Sequence, residues 1–132
     1  MGRHLVDLSV EECWALLETA ELARIAWNAP AGPELLPVNY VSHEGALWIR
    51  TTAHSSIAEQ ADESPVAIEV DTIDPATHVG WSVVVRGRAE AFYHEDQIPA
   101  EVRSLRSWPA GSRPLWIQVT PEQLTGRRLL DD

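Results

Sequence analysis

The chain has 132 residues and a formal net charge of −10, and all of its 10 cationic side chains other than histidine are arginines. So acidic a balance argues against nucleic-acid binding, which needs basic patches, and against docking on anionic membranes. Cys13 is the only cysteine, which excludes an internal disulfide, and biased composition alone accounts for the missing lysine.

The length fits one domain over 1–132 with a core that needs neither disulfide nor structural metal. The start, MGRHLVDLSVEE, has no apolar signal-peptide core. No apolar run approaches the roughly 20 residues needed to span a bilayer. A cytoplasmic chain is expected.

Ser9 and Glu12 make a capping box, and Val10, Cys13, Trp14, Leu16 and Leu17 recur at helical spacing, so a helix is expected over 9–20. LARIAWN (22–28) alternates as a strand, with Ala23, Ile25 and Trp27 on one face. APAGPE (29–34) is a turn, and LLPVNYVSH (35–43) reads as a second strand, with Pro37 marking an edge or a bulge. Glu44-Gly45 turns the chain into ALWIRT (46–51). Three strands on short turns imply an antiparallel meander.

Helical spacing returns at HSSIAEQAD (54–62), which Pro65 ends, and VAIEVD (66–71) alternates again. TIDPATHVG (72–80) is a loop, and WSVVVRGRAEAFY (81–93) is the longest strand signal, with Gly87 predicting a bulge or bend. A helix is expected over 97–107, a loop over 108–114, a last strand at LWIQVT (115–120) and a turn at PEQLTGRR. About six strands without long βαβ crossovers favour an antiparallel barrel over a doubly wound parallel sheet.

There is no GxGxxG, Walker-type loop or GxSxG elbow. His4, His43, His54, His78 and His94 lack metal-ligand spacing, so no metal site is expected. Glu69 and Asp71 share one strand face, as a carboxylate cluster or as an ordinary solvated face. The segment Arg50-Thr51-Thr52-Ala53-His54-Ser55-Ser56 carries an arginine at a strand end, then hydroxyls, then a helix start. That order suits an anion, because a helix N-terminus offers free N–H groups and an arginine fork binds two phosphate oxygens. It equally describes an exposed arginine beside a simple N-cap.

LARIAWN (22–28), LLPVNYV (35–41), LWIRTT (47–52), VAIEVDTIDPAT (66–77), GWSVVVRGRAEAF (80–92) and LTGRR (124–128) occur in one order along the chain. This series resembles the pyridoxamine 5′-phosphate oxidase-like family, the FMN-binding split barrels, and most of all its small flavin-binding branch that includes nitroimidazole-resistance reductases. The resemblance implies a mainly β, six-stranded antiparallel Greek-key split barrel with two or three short helices. It also implies a homodimer with composite FMN sites. Val38, Asn39 and Tyr40 would line the isoalloxazine edge. Arg50 and Thr51 would hold the phosphate, with Ser55 and Ser56 at the helix start. Trp81 and Ser82 would approach the flavin or its ribityl chain, unless Trp81 is a core aromatic.

Two departures stand out. The family commonly has a basic residue near the position of Ser56, so one phosphate partner is missing, and Arg127 or Arg128 of a second copy is a candidate replacement. The C-terminal arginine and histidine with which true oxidases grip pyridoxamine phosphate have no match, so that substrate is not expected. The implied activity is a flavin-dependent oxidoreductase that passes electrons from a nicotinamide donor to a small-molecule acceptor such as a nitro compound or quinone. Tyr40 and His54 are the only candidate acid–base side chains. The alternative is a non-catalytic carrier of FMN, haem or another ligand, or a barrel that uses a deazaflavin.

Overall fold

The computed structural model describes residues 2–52, 55–108, 111 and 113–131. Among them are seven strands and three α-helices: β1 (Arg3–Asp7), α1 (Val10–Leu17), β2 (Leu22–Ala29), β3 (Gly32–His43), β4 (Ala46–Thr51), α2 (Ser56–Ala61), β5 (Ser64–Ile73), β6 (Gly80–Phe92), α3 (Ala100–Arg103) and β7 (Leu115–Asp131). The strand order is β1-β7-β4-β3-β2-β5-β6, and β6 also pairs with β7. That second pairing closes six strands into an antiparallel barrel. β5 returns beside β2 after the β2-β3-β4 meander, which is the Greek-key order. β1 adds a seventh strand to the edge of β7, with Arg3 opposite Asp131 and Asp7 opposite Arg127.

The barrel interior is filled by the alternating inward residues that the sequence displays. Ile25, Ile49, Ile68, Val83, Val85 and Val119 are buried, and Leu17 and Cys13 of α1 with Ile57 and Ala61 of α2 plug the same core. A second cluster, Trp48, Trp116, Ile98, Val102 and Ala46, sits outside the barrel wall under α3.

Several boundaries differ from expectation for local reasons. α1 stops at Leu17 instead of running to 20. The Glu21 carbonyl is required elsewhere, where it accepts from the Tyr40 N–H at 3.1 Å and from Asn39 Nδ2 at 3.3 Å. The helix expected over 97–107 is only a 3₁₀ turn at Glu95–Gln97 followed by the single turn of α3. Pro99 separates the two, because a proline has no N–H with which to continue a helix.

PEQLTGRR is not a turn; it continues β7 along β6 as far as Leu129 opposite Gly80. The register slips between Arg86 and Gly87, so that Gly87 faces Pro121 while Arg86 faces Gln123. This is the bulge that Gly87 predicted, and it houses a proline that has no N–H to give to the ladder. Pro37 lies in the part of β3 that pairs with β2 alone, since pairing with β4 begins only at Tyr40.

Candidate functional site

The main cleft of the described surface, about 740 Å³, opens between the end of α1, the second half of β3 and the stretch 104–108. Leu17 and Tyr40 form apolar floor, Glu18, Glu21 and Arg106 bring charge, and Trp108 forms the outer wall. The volume lies within the usual range for small-ligand sites, roughly 300–1,000 Å³. The cleft exists because β3 changes partners. It pairs with β2 up to Asn39 and with β4 from Tyr40 on, so Val41 and Ser42 have a strand on one edge only, and both line the cleft.

Two of the expected site residues meet here. Asn39 is buried. Its Nδ2 donates to the Glu21 carbonyl at 3.3 Å, and its Oδ1 accepts from the Trp108 N–H at 2.8 Å. Tyr40 is buried too, and its hydroxyl donates to the Leu17 carbonyl. Burial pushes the Tyr40 hydroxyl up to about 12, so it keeps its proton at neutral pH and acts as a tether for α1 rather than as an acid–base group. Val38, half-buried, packs against the main core. His54 lies outside the described residues.

Arg50 stands behind the cleft wall. Its Nε donates to the Arg113 carbonyl at 3.0 Å and its Nη1 to the Leu105 carbonyl at 3.3 Å. The guanidinium carbon lies 4.6 Å from the centroid of the Trp116 ring. Arg50 therefore ties both ends of the segment between α3 and β7 to the barrel. Arg113 Nε is a buried donor with no hydrogen-bond partner among the described residues. An unsatisfied cationic donor on the residue that Arg50 holds suits an anionic oxygen, because a buried donor without a partner is costly. Together with the open β3 edge and the flat aromatic wall, this donor fits a planar cofactor that carries phosphate.

The remaining expected residues do not share the cleft. Thr51 is buried at the end of β4, opposite Leu115. Ser55 caps α2, accepting from the Ala58 N–H at 3.2 Å, and Ser56 begins that helix. α2 packs on β2, β5 and β6. Trp81, 9% exposed, belongs to the main core, and Ser82 follows it on β6, opposite Asp71 and Arg127. Arg128 faces Trp81 across the same ladder. Sequence reasoning missed Glu18, Glu21, Arg106 and Trp108. The one local signal was a tryptophan in a Pro/Gly/Ser-rich loop, where an aromatic has no core to enter.

The acid pair lies on the outer face of the barrel. Arg24 Nη1 is 3.6 Å from Glu69 Oε1 and 3.6 Å from Asp71 Oδ2. Glu69 is pushed up to about 7, first by burial and then by the hydrogen bond and charge of Asp71, with Arg24 opposing. A carboxyl raised on folding favours the folded state while it is protonated. Its contribution is full below the unfolded value near 4.5 and is lost as pH rises through about 7. The Glu69→Gln variant cannot ionise. We expect its melting temperature to gain on that of wild type as pH is raised from 5 to 7.5, and parallel melting curves at both pH values would contradict this.

Residues 9–128 match the sequence profile of the family Pyridoxamine 5′-phosphate oxidase. An uncharacterised protein of Mycobacterium tuberculosis is 32% identical over 136 residues, which cover 99% of this chain and 90% of that one. The structure of an FAD-binding protein from Mycobacterium smegmatis superposes with a TM-score of 0.73 at 30% identity, covering 95% of this chain and 98% of its own. An FAD-binding protein from Mesorhizobium loti shares the fold with a TM-score of 0.76 at 23% identity, covering 98% of this chain and 100% of that one. A profile matched over nearly the whole barrel, in a chain whose strands close in Greek-key order, makes this protein a member of the pyridoxamine 5′-phosphate oxidase family.

Proposed function

We propose that this protein is a flavin-dependent oxidoreductase, with FMN bound at the cleft beside Asn39 and Tyr40. The observation that carries the reading is the cleft itself. It opens on the half-paired stretch of β3 where the family resemblance puts the isoalloxazine edge, and Arg50, bonded to Leu105 of its wall, lies behind it with the unpartnered Nε of Arg113. Val38 and Asn39 position the ring edge. Arg50 takes the phosphate end, and Thr51, Ser55 and Ser56, which the resemblance also assigns to the phosphate, lie outside the cleft itself. A flavin held there would supply the redox chemistry for an electron transfer from a nicotinamide donor to a small acceptor such as a nitro compound or quinone, while the residues of the cleft bind and orient it.

A second copy of the chain completes the site and contributes Arg127 or Arg128 to it. The exposed Leu35 and Leu36 on the part of β3 that lacks a β4 partner supply apolar area for that contact. FAD is the second reading, because the M. smegmatis protein, 30% identical, binds FAD.

The test is an absorbance spectrum of the purified protein, before and after adding FMN or FAD. Flavin bands near about 375 and 450 nm are expected, and chromatography of the released flavin separates FMN from FAD. Bleaching of the longer-wavelength band by NADH or NADPH supports the enzyme. Bound flavin that no nicotinamide donor reduces would make the protein a carrier. Failure to bind either flavin at tens of micromolar would end the flavin reading.

A further inference from the structure

Trp108 is unusual among the tryptophans of the chain. It is 64% exposed, whereas a tryptophan ordinarily buries most of its surface. Its backbone is nevertheless firmly mounted. The N–H is held by Asn39 Oδ1 at 2.8 Å, and Asn39 is itself 6% exposed and bonded to the Glu21 carbonyl, just before β2. Three residues earlier, the Leu105 carbonyl is held by Arg50, whose guanidinium lies over the buried Trp116. An ordinary exposed tryptophan sits on a free loop. This one sits on a stretch tied to both β3 and β4, and it lines the cleft.

The cleft is apolar at its floor, where Leu17, Ala20 and Tyr40 lie, and polar at its rim, where Ser42, Glu21 and Arg106 lie. A flat tricyclic ring has the matching character: apolar faces, and polar edges of carbonyl and ring nitrogen. Offset stacking on an indole satisfies the faces and leaves the edges to the rim. The fixed mount matters, because a stacking partner that is already in place gives up little freedom when the ligand arrives.

We propose that Trp108 is the stacking face for the isoalloxazine ring, forming the outer wall of the flavin site. This rests on the flavin reading above. It names the residue that touches the ring, and it gives that contact a signature of its own. An indole in van der Waals contact with an isoalloxazine quenches flavin emission by electron transfer, whereas an aliphatic side chain does not.

The test uses the full-length protein as wild type, Trp108→Phe and Trp108→Leu, each loaded with FMN and, separately, with FAD. Affinity, emission yield and emission lifetime of the bound flavin are measured. Thermal melts check folding, and light scattering checks the oligomeric state. Emission is expected to be strongly quenched in wild type, partly restored in Trp108→Phe and restored severalfold in Trp108→Leu. Affinity is expected to fall about tenfold in Trp108→Leu and less in Trp108→Phe. Bound flavin with the same emission in all three proteins would overturn the stacking role and leave the flavin reading intact. So would a Trp108→Leu variant whose oligomeric state changes while its emission does not, because Trp108 would then belong to a contact between copies. A wild-type protein that binds neither flavin overturns the flavin reading and this inference with it.

Discussion

Replacing Gly87 with alanine is expected to destabilise the barrel by about 3 kcal/mol, a fall in melting temperature of roughly 10 °C for a domain of this size. The cause is the closeness of β7. A Cβ at Gly87 would sit 2.2 Å from the Thr120 carbonyl oxygen, 2.9 Å from its carbon and 3.0 Å from the Pro121 Cα. All three are backbone atoms, so no side chain can swing aside. Either β6 or β7 must move, in the pairing that closes the barrel. Val66 of β5 is fixed on the other side of Gly87, so the displacement cannot be shed into a free edge. Gly2→Ala is the control, since nothing lies within 4 Å of a Cβ there, and it should melt with wild type. Circular dichroism melts of the two variants measure the difference. A Gly87→Ala protein that melts within a degree or two of wild type would mean that β6 and β7 do not approach this closely.

The same bulge explains which parts of the fold can be read from the chain. Strands β2, β4, β5 and β6 are legible because one face of each enters the core: Ala23, Ile25 and Trp27, for instance, against the outward Arg24 and Asn28. β1 leaves no such trace. All five of its residues are exposed, and what orders it is backbone pairing with the end of β7, which demands no alternation of side chains. The second half of β7 is obscured by residues that usually signal a turn. Pro121 is accommodated at the bulge opposite Gly87. Gly126 is a packing glycine, since a Cβ there would meet the Cys13 sulfur at 2.6 Å.

The candidate site divides in the same way. Asn39 and Tyr40 sit in a recognisable string, but the cleft they line is finished by residues far away in sequence. Arg50 reaches the Leu105 and Arg113 carbonyls across 55 and 63 residues, and Asn39 reaches Trp108 across 69. No periodicity announces such ties. An irregular stretch acquires its shape from the barrel that holds it, which is why 104–107 looks like part of a helix when read alone. The segment Arg50 to Ser56 reads either as an anion site or as an exposed arginine beside an N-cap, and neither reading reveals that Arg50 holds the Leu105 and Arg113 carbonyls.

Arg50→Met is therefore expected to have two separable effects. Methionine keeps much of the length and the apolar packing on Trp116, but it removes the bonds to the Leu105 and Arg113 carbonyls. The first effect is on the stretch 104–108. With its tie gone, the backbone after Arg106 opens locally far more often, although the barrel core is untouched. Trypsin is expected to cut the variant at Arg106 many times faster than wild type under native conditions, while the global melting temperature falls by only a few degrees, for about 1 kcal/mol. The second effect is on the flavin. A charged hydrogen bond to phosphate contributes about 1.5–3 kcal/mol, so losing it weakens FMN binding roughly tenfold to a hundredfold. Arg50→Lys separates the two. It keeps the positive charge but not the planar fork that reaches two carbonyls at once. It should recover part of the FMN affinity and almost none of the protection from trypsin. If lysine restores neither, Arg50 serves only the loop, and the phosphate is held by other donors, with the buried Arg113 Nε the first to test. If Arg50→Met is cut no faster than wild type, the two carbonyl bonds do not hold the cleft wall in solution.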